Sequence, residues 1–457
     1  MAIYSEDKVV VFQGLGRGIG KINLKGRTLL IPEMNRIGSH LLAAVFRSFG
    51  VNAMVLETFK ALDLGKENTS GKECFPCQIT IGDILYFVKK KMEEKNQGFD
   101  PSKHLYFMPE ADGPCRFGMY NKYQRIVLDS FPETRDLKIV TLTTKDGYAL
   151  DGLVEKERVR DLRKVAYFSV VVGDILDRLL WRVRPYEKKE GTADAFIESA
   201  MHEMEKSFEI HGASKGFDVI TAKLIELIEE AKGIIDPQIP QKPKIGIIGE
   251  IYVRSHAKSN QDTIRMLERY GGEVVNASIA EWMNYTSYDR LREAKRDLFL
   301  SLVTLKFDRI KKALKSILNY GGDLYYQTFR QRQIFKKALQ YIDIQQDHDV
   351  GHLEGILKKT DLFNFDVGTE ACLSIPGAIS YIEEGFNGVV NVYPFTCMPS
   401  TITSAVLKPI MSELKVPYLD LPYDSSTQAN REVAIRTFMY QATMHFKKKK
   451  EKNKVHK

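Results

Sequence analysis

The sequence predicts an α/β fold, with two parallel-sheet α/β domains that carry helical insertions and a cysteine site at their interface. Three observations lead there. Strand-length apolar runs alternate with amphipathic helical stretches in the same order in two halves of the chain. Three prolines, Pro237, Pro240 and Pro243, separate those halves, and three cysteines each fall between an apolar run and a helix.

The 457 residues leave room for two or three domains of about 150 residues each. With 44% apolar and 28% charged residues, the chain is not wholly disordered, collagenous or coiled-coil. Its net charge of +8 is concentrated at one end. Residues 447–457 hold seven lysines and one glutamate, 7 − 1 = +6, which leaves 8 − 6 = +2 for the body. Such a run reads as a solvated, disordered tail, and no nucleic-acid partner is expected. The first residues lack the basic and apolar regions of a signal peptide, and no apolar run approaches the ~18 residues of a membrane span. A cytoplasmic location without a membrane partner follows as the expectation.

Residues 1–28 read as an N-terminal β-hairpin extension. Its glycine-rich turn imitates a dinucleotide fingerprint, but the sixth positions counted from Gly14 and Gly16 are Ile19 and Lys21. Residues 29–236 form the first α/β domain: a strand at 29–31, a helix stopped by Gly50, a strand from 52, and a charged helical insertion over 155–233. The second domain, 237–446, opens with the proline linker. It continues with a strand at 244–253, a helix stopped by Gly271 and Gly272, a strand at 273–277 and a helical insertion over about 286–345. Strands at 388–395 and 417–421 complete the second sheet.

Five cysteines in a reducing compartment do not form a disulfide framework. Cys74 and Cys77 make a C-x-x-C at the start of a helix marked by Ile81, Ile84, Leu85 and Val88. Cys115 follows an apolar strand and a Gly-Pro turn, and Cys397 sits between the strand at 388–395 and a helix. Open parallel sheets bind ligands in such loops. Cys74, Cys115 and Cys397 could therefore form a thiolate site, with Cys77 as a fourth ligand. Three readings stay open: an iron–sulfur cluster, which accepts cysteines scattered in sequence; a zinc site, which usually pairs one C-x-x-C with another or with histidines; and unrelated buried thiols. Cys372, in an apolar helical context, reads as core. Arg116 either acts on the site or makes an ordinary loop ion pair. Glu250 and Arg254, at the end of the strand at 244–253, point toward the cleft or are merely solvated. Lys72 and Glu73 are expected to be half exposed. No H-x-x-x-H pair and no G-x-S-x-G elbow occurs.

The segments KECFPCQITIGDIL, GPCRFGMYNKYQRIVLD, GEIYVR followed by Ser259-Asn260, and VYPFTCMPSTITSAVLK together resemble the 2-hydroxyacyl-CoA dehydratase superfamily. The nearest part is the group related to acyl-CoA dehydratase activases, also called CoA-protein activases. The resemblance runs from about residue 31 to 442. It implies a 4Fe-4S or double-cubane cluster held by three cysteines per cubane, here Cys74, Cys115 and Cys397, with Cys77 inside the first motif. A separate ATPase of actin-like fold would supply one low-potential electron, and a homodimer or a related cluster-bearing subunit would complete the machinery. An acyl-CoA substrate is implied if the protein is an enzyme. The other reading is a non-catalytic cluster-binding or electron-transfer subunit. The ATPase modules fused to long members of the superfamily are missing, and Pro409 is expected to bend or shorten the helix after Cys397.

Overall fold

The computed structural model describes residues 18–94, 99–426 and 430–455, with side chains as far as 451. The expected glycine-rich hairpin turn lies mainly before residue 18, outside the described residues. The chain continues through β1 (Ile19–Gly20), β2 (Thr28–Ile31), α1 (Arg36–Ser48), β3 (Asn52–Val55), α2 (Leu62–Glu67), α3 (Phe75–Glu93), β4 (His104–Phe107), α4 (Tyr120–Asp129) and β5 (Lys138–Val140). These five strands form one sheet in the order β1-β5-β4-β2-β3, parallel throughout. The expected first insertion is α5 (Lys156–Val183), α6 (Thr192–His211) and α7 (Phe217–Lys232).

After the proline linker come β6 (Lys244–Gly249), α8 (Ile251–Ser255), α9 (Thr263–Arg269), β7 (Glu273–Asn276), α10 (Ile279–Val303), α11 (Phe307–Ala338), α12 (Val350–Thr360) and α13 (Ala371–Glu383). The chain ends in β8 (Gly388–Pro394), α14 (Met398–Glu413), β9 (Tyr418–Tyr423) and α15 (Arg431–Val455). The second sheet, ordered β7-β6-β8-β9, is also wholly parallel. The α/β architecture with two parallel sheets is therefore the one the sequence predicted.

The local reasons are plain. β6 and β8 are near-continuous apolar runs buried along almost their whole length, as strands covered on both faces must be. Helix α1 starts at Asn35, whose side chain accepts from the Gly38 amide at 2.7 Å, and it buries Ile37, Leu41, Ala44 and Val45 on one face. Gly50, at φ +80°, lets the chain turn out of it.

Three expectations change. The strand from 244 stops at Gly249 instead of 253, because the Glu250 carboxylate accepts from the amides of Tyr252 (3.0 Å) and Val253 (2.8 Å) and caps α8. Helix α14 runs through Pro409 to Glu413, so the proline does not shorten it. The basic end is helical to Val455, where a disordered tail was expected. Lysine is a good helix former, and the Lys450 ammonium lies 4.3 Å from the Phe446 ring centroid.

The two halves share their cores. Phe75 and Ile79, from the first turns of α3, pack with Ile245, Val390 and Leu421 of the second sheet. Ile334, Phe335 and Ala338 of α11 pack in return with the α1, α5 and α6 side chains of the first half. Helix α3 thus lies between the sheets, with its N-terminus at the junction. No helix among the described residues is long and apolar enough to cross a membrane.

Gly249 holds the end of β6 close to β8. Its φ of +116° suits glycine, and a Cβ there would lie 2.2 Å from the Val392 carbonyl oxygen. Gly249→Ala is expected to destabilise the protein by roughly 2–4 kcal/mol, combining overpacking with a disfavoured backbone angle, and urea denaturation reads it.

His256, just after α8, ties the halves together. The Ser259 amide donates to its Nδ1 at 3.1 Å, so its Nε2–H donates to Thr58 Oγ1, also at 3.1 Å. Burial, with Lys258 adding, pushes His256 down to about 3. An unfolded histidine titrates near 6.5, so between those values the unfolded chain binds more protons. The stability of the junction is therefore full above about pH 6.5 and falls as pH drops toward 3. His256→Asn should flatten that part of the stability-against-pH curve.

Candidate functional site

In both sheets the strand order reverses beside the first-formed central strand, between β2 and β4 and between β6 and β8. Loops at the carboxyl ends of such strands form the crevice of an open parallel sheet. Cys115 follows β4, Glu250 follows β6 and Cys397 follows β8. Cys74 reaches the same place differently, as the residue that opens α3, with the unusual φ of +107°. That helix start is fixed by α2. A Cβ on Gly65 would lie 1.9 Å from the Gln78 carbonyl oxygen, and one on Gly82 2.4 Å from that of Ala61, so only glycines allow α2 and α3 to pack so closely.

Arg116 joins the three cysteine loops. Its guanidinium donates to the Lys72 carbonyl oxygen at 2.5 Å, two residues before Cys74. On the other side it donates to the carbonyl oxygen of Thr396, next to Cys397, at 2.9 Å and to the Thr396 hydroxyl at 3.2 Å. Arg116 itself follows Cys115. Among the described residues it has no carboxylate partner, so the ordinary loop ion pair is not what it makes. Two such bonds are worth about 1 kcal/mol each. Arg116→Met is therefore expected to raise the reaction rate of the site cysteines with an aqueous thiol reagent by on the order of tenfold or more, through easier local opening.

The thiols feel one another and two buried carboxyls. Burial pushes Cys74 up to about 12, with Glu250 adding and the Tyr120 hydroxyl and Arg116 opposing. Burial raises Cys115, followed by Glu370, with Glu250 and Cys397 contributing. Burial likewise raises Cys397, then Glu370, Glu250 and Cys74. Cys77, fully buried in the first turn of α3, is raised by burial and then by Cys74 and Glu73. All four cysteines named from the sequence are thus brought to one junction, with Cys77 on its inner side in the core beneath Cys74. Cys372 is apart: it is fully buried in the second-half core, and its thiol donates to the carbonyl oxygens of Phe365 and Gly368, both at 3.3 Å. A 3-10 turn, Phe365–Val367, does precede it, although the sequence showed no turn there.

Glu250 is raised to about 7, by burial first and then by Glu370. Its two capping bonds aim it at α8 rather than leave it as a solvated strand-end charge. Arg254 is buried within that short helix, and its Nε has no hydrogen-bond partner. Glu73 is buried, not half exposed, because its carboxylate accepts from the amide and hydroxyl of Ser70. Lys72 is exposed.

Sequence reasoning missed Glu370 and Tyr120. Glu370 is buried at the start of α13, its carboxyl raised by burial and opposed by Arg254, and its Oε2 has no hydrogen-bond partner. Thr369, at φ +69°, turns the chain into that position. Glu370 stands in no spacing pattern, and Tyr120 stands with Tyr123 and Val127 on one helix side, a pattern that reads only as core.

Among the described residues no three His, Cys, Asp or Glu side chains are grouped as ligands of one metal ion. A single zinc needs sulfurs about 2.3 Å from one point, whereas a cluster spreads its thiolates over several irons. No family model and no curated protein sequence matches the chain.

Proposed function

We propose that Cys74, Cys115 and Cys397 hold a 4Fe-4S or double-cubane cluster at the junction of the two halves, and that this protein accepts a low-potential electron from a separate ATP-dependent activator. The observation that carries the reading is the convergence of three cysteine loops, remote in sequence, through the single guanidinium of Arg116. The chemistry of the donor set fits: three free thiols, two from strand-end loops and one at the start of α3, with Cys74 and Cys397 buried and Cys115 half-buried. Cys77 stands behind Cys74 as a possible fourth sulfur. When bound, the cluster would supply one-electron chemistry that no side chain here can perform.

The chain's own residues then have defined tasks. Arg116 fixes the loops and brings positive charge beside the thiols. The Tyr120 hydroxyl favours the Cys74 thiolate. Glu250, raised toward neutrality, can hold a proton on its carboxyl at physiological pH, and Glu370 faces the same thiols with an unsatisfied oxygen. The aromatic and aliphatic core around Cys74 and Cys77 excludes water. Reductive chemistry such as dehydration of a 2-hydroxyacyl-CoA thioester is the reaction class that the motif resemblance implies.

The test is to mix the anaerobically reconstituted protein with an actin-like-fold ATPase, ATP and a strong reductant, and to follow reduction by absorbance. Reduction that requires ATP is expected. Reduction at the same rate without ATP would count against an activator-dependent acceptor.

A further inference from the structure

Helices α10 and α11 form an antiparallel arm whose α11 has two apolar faces. One is buried: Ala313, Ile334, Phe335 and Ala338 pack into the molecule. The other is exposed. Phe307, Leu314, Leu318, Tyr325 and Phe329 are between 46% and 76% exposed. At 100° per residue these five fall within about 60° of arc, on the side opposite the buried face, along about 33 Å of helix. Among the described residues nothing covers them. The end of α10 adds Phe299, Leu300, Leu302 and Val303, and the connection to α11 adds Leu305, each more than half exposed. Monomers rarely leave so large a contiguous apolar surface in water.

The middle of the stripe is a pair of glycines, Gly321 and Gly322, which are disfavoured in a helix interior. The fold of this chain does not require them. A Cβ on Gly322 would meet nothing within 4 Å, and one on Gly321 only Leu291 at 3.9 Å. Neither has the positive φ that would demand glycine. A notch of this kind lets a second helix come close.

The stripe is also self-complementary. If two copies of α11 cross antiparallel over the Gly321–Gly322 peptide, Leu318 faces the partner's Tyr325 and Leu314 faces the partner's Phe329. Phe307 then faces the partner's Lys336, a cation over an aromatic ring. Each contact occurs twice, as a two-fold interface requires. Tyr325 and Phe329 already stack within one chain, their rings 6.2 Å apart and 14° from parallel. Ten apolar side chains, four of them aromatic and each about half to three-quarters exposed, can supply several hundred of the ~800 Å² per partner that a stable interface covers.

We infer that the exposed face of α11 is a two-fold interface with a second copy of this chain, centred on Gly321 and Gly322. The inference does not rest on the cysteine site. It also fixes a salt dependence: the same register sets Lys311 opposite the partner's Arg332, which already pairs with Asp349 at 3.3 Å, so no bare like-charge contact forms and added salt should change the dimer little. An anionic membrane or an acidic partner on this basic arm would instead be released by salt.

Sedimentation velocity of the full chain at about 10 µM, a range where standard-size interfaces associate, should give a dimer whose affinity changes little between low and moderate salt. Leu318→Glu and Tyr325→Lys should each weaken it at least tenfold. Both positions are exposed, so unchanged circular dichroism and melting are expected for each variant. Mixed in equal amounts, the two variants should re-form a dimer, because one Glu–Lys pair and one native Leu–Tyr pair then meet. A monomeric wild type, a dimer unaffected by either substitution, failure of the mixture to reassociate, or salt-sensitive binding to phosphatidylserine vesicles by a monomer would each overturn the inference.

Discussion

Cys115→Ala is expected to reduce bound iron, after anaerobic reconstitution, to near background, and Cys74→Ala and Cys397→Ala are expected to do the same. Each supplies one of the three loops that Arg116 joins, and each thiol is raised by burial and by Glu250. Cys372→Ala should leave iron unchanged, since its thiol is committed to two carbonyl oxygens in the other core. Its expected cost is in packing, on the order of 1 kcal/mol, because a small buried group is removed. Cys77→Ala discriminates between cluster types. Unchanged iron with an altered potential means that three sulfurs suffice, and loss of iron equal to that of Cys115→Ala means four-sulfur ligation. Equal iron loss from Cys372→Ala and Cys115→Ala would show that the ligands are misassigned.

The largest effect on stability is expected from Arg178→Met. Arg178, in α5, pairs with Asp347, and the two side chains are 4% and 3% exposed. The guanidinium also donates to the Gln345 carbonyl oxygen, and Asp347 accepts from Gln331. The cluster joins the first-half insertion to the segment that follows α11. Breaking a buried pair from one side leaves an uncompensated charge and costs roughly 3–5 kcal/mol. Asp347 would then stand near Asp174, whose carboxyl is already raised by burial and by Asp347. The double variant Arg178→Met with Asp347→Leu should recover much of the loss, because no buried charge remains. A urea midpoint unchanged in the single variant would show that the pair is not a tie between the halves.

Most strands were legible as short apolar runs between helices stopped by glycines such as Gly50 and Gly271, whereas β1 and β5 of the first sheet were not singled out. The cysteine loops were legible because Cys115 and Cys397 follow such runs and Cys74 opens an apolar-periodic helix. The junction was not, since Phe75 and Ile79 look like ordinary helix core until α3 is seen to pack on the second sheet. Glu370 lay hidden for a different reason. A lone acidic residue at a helix start is common, and only tertiary packing brings it to Cys115 and Cys397. The short helix α8 was read as strand because IYV has strand propensity, which the Glu250 cap overrides. The lysine-rich end was read by its charge alone, without its helix propensity. The exposed stripe on α11 carries the same helical periodicity as a core face, so the sequence could not tell which face is covered.

The central claim is most directly tested by iron and sulfide counts, with an electron paramagnetic resonance spectrum of the reduced protein, on wild type purified without oxygen. The account predicts about four iron and four sulfide per chain for one cubane, or about twice that for a double cubane, and a paramagnetic signal on one-electron reduction. One equivalent of zinc, or iron and sulfide at background in a protein whose five thiols all titrate, would contradict it.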